Sequence, residues 1–144
     1  MKYKLPILKG RGAQINTANR FHLENADIQP NKFDEKDFSP KTTFIKVHPK
    51  TIHNKVDSPD VAMNWSLNPY QGCEHGCVYC YARNSHNYWG YSAGLDFESK
   101  ILVKHNAAKL LRKKLASKNW KADPIMLSGN TDCYQPAEKK FKIT

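Results

Sequence analysis

The sequence predicts an α/β fold whose visible centre is one strand–loop–helix–strand unit, an order that normally places the two strands parallel. Three patterns predict it. Met63, Trp65 and Leu67 alternate with Asn64, Ser66 and Asn68, as in a strand with one buried face. Ala108, Leu111 and Leu115 recur at helical spacing within residues 107–118. Ile125-Met126-Leu127-Ser128 is a short apolar run closed by Gly129 and Asn130, the mark of a buried strand.

Taken in chain order, residues 1–60 are rich in Asn, Asp, Lys and Pro, lack a sustained period, and hold only short apolar patches such as Thr43-Phe44-Ile45-Lys46-Val47. They predict an irregular leader packed on something larger, with the core running over residues 61–144. Ser58-Pro59-Asp60 is a turn signal ahead of the first strand, and Asn68-Pro69-Tyr70-Gln71-Gly72 ends it, because proline donates nothing to a ladder. The aromatic and glycine-rich stretch from Asn87 to Gly94 predicts an ordered loop, and Ile101-Leu102-Val103 a short strand. Asn106 is placed to cap the helix that follows, with Ala108, Leu111 and Leu115 facing inward and Leu110 off that face. Trp65 and Trp89 are read as packing residues.

Between the first strand and the helix, Cys73-Glu74-His75-Gly76-Cys77-Val78-Tyr79-Cys80 spaces three thiols so that one tight loop turns them toward a common point, with Gly72 and Gly76 permitting the turn. Cysteine thiolates are the usual ligands of iron–sulfur clusters, and three ligands for four irons leave one iron open for chemistry. Zinc uses the same ligands: the three thiolates with His75, His86 or Cys133 would make a structural site, although no second C-x-x-C-like pair accompanies them. His75, inside the loop, is also placed to tune a cluster by hydrogen bonding.

No apolar run approaches the roughly 20 residues that span a bilayer, and the basic N-terminal stretch is too short and broken for a signal-peptide core. The expected location is the cytoplasm, where thiols stay reduced and metal or redox roles are favoured over disulfides. The chain carries a formal net charge of +10, and the run from Lys100 to Lys121 holds eight Lys or Arg with no Asp or Glu. An anionic partner such as nucleic acid is therefore permitted, and a basic nucleic-acid-binding domain without catalysis is a further reading. No recognised nucleic-acid-binding motif accompanies it.

The C-x-x-x-C-x-x-C spacing with an aromatic, Tyr79, before the third cysteine resembles the signature of radical S-adenosylmethionine (SAM) enzymes. The resemblance extends through Asn54, Ser58-Pro59-Asp60, Ser66 to Tyr70, Gly72 to Arg83, Ser92 to Glu98 and Asn130-Thr131-Asp132 to Gln135-Pro136, where the chain looks like the subgroup related to spore photoproduct lyase, a DNA-repair enzyme. Gly10-Arg11-Gly12-Ala13-Gln14 fits that subgroup's leader. The resemblance implies the N-terminal portion of a partial (β/α)6 barrel, truncated after the second strand, and hence a chain that does not cleave SAM alone. It implies a [4Fe-4S] cluster on Cys73, Cys77 and Cys80, SAM chelated to the open iron, and a 5′-deoxyadenosyl radical released by one-electron reduction. Further implications are a reductant protein such as flavodoxin or ferredoxin, and lyase- or repair-type chemistry on nucleic acid. Tyr79 is implied as a contact to the SAM adenine, and Ser128, Gly129, Asn130, Thr131 and Asp132 as the strand end that meets the methionine moiety. They lack the acidic Gly-Gly-Glu pattern common elsewhere in the superfamily. The subgroup's hydrogen-donor cysteine falls nearer Gly129 than Cys133, so Cys133 reads as an ordinary buried thiol.

Overall fold

A computed structural model describes residues 10–19, 21 and 41–144. Two three-stranded sheets organise it. The first has the order β1 (Thr43–Val47), β5 (Lys100–Lys104), β4 (Tyr70–Gln71); the second has the order β2 (His53–Lys55), β3 (Trp65–Leu67), β6 (Ile125–Leu127). A 3-10 stretch, Tyr81–Trp89, and helix α1, Leu95–Ser99, follow the cysteine loop. Helices α2, Ala107–Leu115, and α3, Ala137–Phe141, complete the fold.

The parallel pair expected from the strand–loop–helix–strand order is present: β3 and β6 run side by side with Trp65 opposite Ile125 and Leu67 opposite Leu127. The strands between them in sequence, β4 and β5, lie in the other sheet. There β5 is parallel to β1 and antiparallel to β4, with Tyr70 opposite Val103. Asn68-Pro69 carries the chain from one sheet to the other, which suits a residue with no N–H for a ladder. The sheets do not close into a barrel among the described residues.

Part of the expected irregular leader is regular. Thr43–Val47 and His53–Lys55 are strands, because each meets an existing edge: β1 joins β5 and β2 joins β3. Residues 1–9, 20 and 22–40 of that leader lie outside the described residues. The stretch expected as a loop from Asn87 to Gly94 begins inside the 3-10 segment, and Gly90 ends that segment at φ 80°. Helix α2 starts at Ala107 as expected but stops at Leu115, where Ala116 and Ser117 donate back to Arg112 and Lys114. Asn106 precedes the helix without capping it through its side chain, which donates instead to the Pro49 carbonyl. The buried face also differs from the one expected. Leu110 and Leu111 pack on Ile52, Leu67 and Ala107, whereas Leu115 is exposed. The cause is tertiary: Ile52 approaches from a segment that helical periodicity does not see.

A second hydrophobic cluster joins Tyr70, Ile101, Val103 and Ala137, and Ile143 touches both clusters and so ties the two sheets together. A third, formed by Cys73, Ala82 and Phe97 with Cys80 against it, lies directly under the cysteine loop. Trp65 packs against Trp120 at 5.6 Å between ring centroids, with Lys114 over both rings. No helix among the described residues is long and apolar enough to cross a membrane.

His86 is fully buried between Tyr91 and Phe97. Burial pushes its pKa from 6.5 down to about 4, with the nearby Asp96 charge acting weakly the other way. The folded state therefore binds fewer protons than the unfolded chain between those values, so this contribution is complete above pH 6.5 and lost as pH falls toward 4. Urea unfolding across that window should show a loss of up to about 3 kcal/mol, and a folded His86→Phe variant should flatten the slope.

Candidate metal centre

The cysteine loop is held from behind. Gly72, at φ 81°, sits where a Cβ would stand 2.9 Å from the carbonyl oxygens of Lys100 and Phe97, so a side chain has no room there. The next residue, Cys73, donates its N–H to the Phe97 carbonyl at 2.9 Å. Two tight turns follow, Gly76 N–H to the Cys73 carbonyl and Cys80 N–H to the Cys77 carbonyl, both at 3.2 Å. Gly76 has φ 64°, and a Cβ on it would collide with the Glu98 carboxylate.

Glu98 is the hub of this arrangement. Wholly buried at the end of α1, it accepts the N–H groups of Gly12 and Ala13 at 2.9 Å each and pairs with Arg83 at 3.3 Å. Arg11 donates to the Glu98 backbone carbonyl. Arg83 then reaches the loop itself, donating from Nη2 to the Gly76 carbonyl at 2.7 Å and from Nε to the Cys77 carbonyl at 3.0 Å. Residues 10–13, Glu98 and Arg83 thus form one hydrogen-bonded strap across the back of the loop. Gln135, also fully buried, fastens the near side by donating to the Gly72 carbonyl and accepting from the Glu74 N–H.

In front, Cys73, Cys77 and Cys80 line a cavity of about 650 Å³ whose opposite wall is Ser128, Gly129, Asn130, Thr131 and Asp132. The structure therefore brings together eight of the nine residues expected at the site. That wall is the exit of β6, where Ser128 adopts φ 76°, a left-handed conformation disfavoured for any residue with a Cβ. Local bonds hold it: Ser128 N–H to the Leu67 carbonyl at 2.8 Å, Cys133 N–H to Ser128 Oγ at 3.1 Å, and Asn130 N–H to Asn68 Oδ1 at 2.9 Å. Tyr81 bridges the two walls by donating to the Gly129 carbonyl.

Tyr79 is the ninth residue and stands outside the lining, 87% exposed, while Tyr81 and Ala82 line the cavity. The neighbouring Cys77 thiol raises the Tyr79 phenol above its ordinary pKa. All four cysteines are free. Burial pushes the Cys73 thiol up, so a metal bound there would have to displace its proton. Cys133 is buried and does not line the cavity; neither does His86. His75 does, with its Nε2 3.2 Å from Asp132 Oδ2, a half-exposed pair worth little to stability. Among the described residues, no three His, Cys, Asp or Glu side chains gather closely enough to hold a single metal ion. Cysteine thiolates are the donor type that both iron–sulfur clusters and zinc use, and three of them line this cavity.

The strap has no local signature in the sequence. Its residues, Gly10-Arg11-Gly12, Arg83 and Glu98, all fall within the stretches that carry the resemblance, but Arg83 and Glu98 lie 15 residues apart on two separate short helical segments, a spacing no local pattern marks as a pair.

No family model matches the chain, and no solved structure matches it. Three relatives are informative about its extent. An uncharacterized protein of Mycobacterium tuberculosis is 37% identical over 102 residues, covering 70% of this chain and 30% of the relative. One of Methanocaldococcus jannaschii is 32% identical over 104 residues, covering 72% of this chain and 36% of the relative. One of Acidianus two-tailed virus is 28% identical over 118 residues, covering 78% and 38%. The chain spans about a third of the length of the curated relatives it matches.

Removing the hub carboxylate leaves Arg83 buried without its counter-charge. Glu98→Ala is expected to cost about 3–5 kcal/mol in urea unfolding, with Glu98→Gln milder because its one amide oxygen still accepts from Gly12 or Ala13. An unchanged midpoint in Glu98→Ala would mean that the strap does not hold the loop.

Proposed function

We propose that this chain is the cluster-bearing front of a radical SAM protein related to spore photoproduct lyase, with Cys73, Cys77 and Cys80 holding a [4Fe-4S] cluster and the β6 exit receiving SAM. The observation that carries this reading is the convergence of three free thiols from one tight loop on a cavity of about 650 Å³, within the range of small-molecule sites. In this reading the fold is the start of a partial (β/α)6 barrel, with β3 and β6 as neighbouring parallel strands.

When bound, such a cluster supplies one-electron reductive cleavage of the sulfonium of SAM. The chain's own residues bind and orient. The cysteine loop presents three thiolates from a backbone locked by Arg83, Glu98 and Gln135. Gly129, Asn130 and Thr131 offer backbone and side-chain polar groups across the cavity, at the place suited to an amino-acid moiety. Tyr79, with its ring exposed next to Cys80, is the surface offered to adenine. The thiols stay reduced in a cytoplasmic setting, with a flavodoxin- or ferredoxin-like reductant as partner. The net charge of +10 favours an anionic substrate, and repair- or lyase-type chemistry on nucleic acid is the substrate reading that the resemblance supports.

The test is anaerobic reconstitution with iron and sulfide. The protein should gain the broad visible absorbance of an iron–sulfur cluster, which bleaches on reduction, and Cys77→Ala should lose it. A folded Cys77→Ala protein with full iron and sulfide content would refute the ligand assignment, and tight stoichiometric zinc without iron would favour the structural-zinc reading.

A further inference from the structure

Next to the cysteine cavity lies a second one, of about 350 Å³, at the small end of the roughly 300–1,000 Å³ usual for ligand sites. Thr51, Asn54, Gln71, Ser85, Trp89 and Lys104 are among its lining residues, and Asn130 lines both cavities. Lys104, the last residue of β5, is only 7% exposed. An ammonium carries three donors, yet its Nζ makes one hydrogen bond among the described residues, to the Asn68 carbonyl at 2.8 Å. No Asp or Glu lines the cavity, and Lys104 enters none of the ion pairs among the described residues. Burial lowers its pKa to about 8, which measures how poorly the surroundings support the charge.

A buried cation without a counter-charge is expensive to keep, and the expense falls when an anion enters. We propose that this cavity binds a small polar ligand through an oxyanion, a carboxylate or a phosphate ester, seated on Lys104. Asn54 and Gln71 supply neutral amide groups, and the partly exposed ring of Trp89 supplies an apolar wall. The cavity is too small for the body of a large ligand, and the shared wall at Asn130 places the bound anion beside whatever occupies the cysteine cavity. The site stands independently of the cluster reading, since none of the three loop cysteines lines it. The competing account is that Lys104 only fastens Asn68, whose Oδ1 in turn holds the Asn130 N–H.

Titrating the full chain with inorganic phosphate and, separately, with acetate distinguishes the two. Trp89 fluorescence reports occupancy, and Trp89→Phe identifies its signal against Trp65 and Trp120. At least one anion should bind saturably, the preferred one naming the ligand class. Lys104→Met should weaken binding about ten- to a hundredfold, and Lys104→Arg should largely keep it. No saturable response to either anion, or equal affinity in a cooperatively melting Lys104→Met protein, overturns the proposal. Should that variant fail to fold, acetylation of the unmutated protein read by mass spectrometry decides it. The preferred anion should slow acetylation of Lys104 several-fold while leaving Lys113 unchanged, and equal rates at both with and without the anion overturn the proposal.

Discussion

The buried carboxylate of Glu98 is the constraint on which the cysteine loop depends. A carboxylate removed from water must be fully partnered, and here two backbone amides and a guanidinium do this work. The same guanidinium reaches two carbonyls of the loop, so satisfying one buried charge also fixes the backbone that carries Cys77. Residues 10–13, far from the loop in sequence, thereby become part of its support. Such a network is all-or-none: with every member partnered it rigidifies the loop, and with one missing it leaves a charge stranded in a low-dielectric interior.

The front of the site follows the same logic with backbone geometry in place of charge. Ser128 occupies a left-handed conformation, an unfavourable choice held by its own N–H bond to the Leu67 carbonyl and by those of Asn130 to Asn68 and Cys133 to the Ser128 hydroxyl. Asn68 is pivotal. Its side chain positions the strand exit, its carbonyl receives Lys104, and the following proline moves the chain between sheets. The two cavities are thus built from one crossing of the chain, which is why Asn130 borders both.

The elements legible in the sequence were those whose signal is local. Alternation at Met63 to Leu67 and the apolar run from Ile125 placed two strands that do pair in parallel, but not their burial: the first strand starts at Trp65 with Met63 exposed and Ser66 and Asn68 buried, and Leu127 of the second is exposed. The start of α2 at Ala107 was visible from the helical pattern. The three cysteines and the Ser128–Asp132 wall could be nominated together through the resemblance, and they line one cavity. What stayed hidden depends on partners distant in sequence. β1 is a strand because β5 is there to receive it, and the inward face of α2 is set by Ile52 rather than by its own period. α1 is five residues long, below the length at which periodicity speaks, yet it carries Glu98. Tyr79 and Tyr81 are both exposed and differ by two positions on tightly turning chain, enough that only Tyr81 borders the cavity.

The proposed [4Fe-4S] cluster on the cysteine loop would leave one iron open toward the β6 exit. Electron paramagnetic resonance of the anaerobically reconstituted, reduced protein, recorded with and without SAM, reads that arrangement directly. The expected result is about four irons and four sulfides per chain and a reduced-cluster signal whose shape changes when SAM is added. A signal insensitive to saturating SAM would mean that no iron is open to it, and a protein that retains no iron or sulfide would mean that the three thiols serve another end.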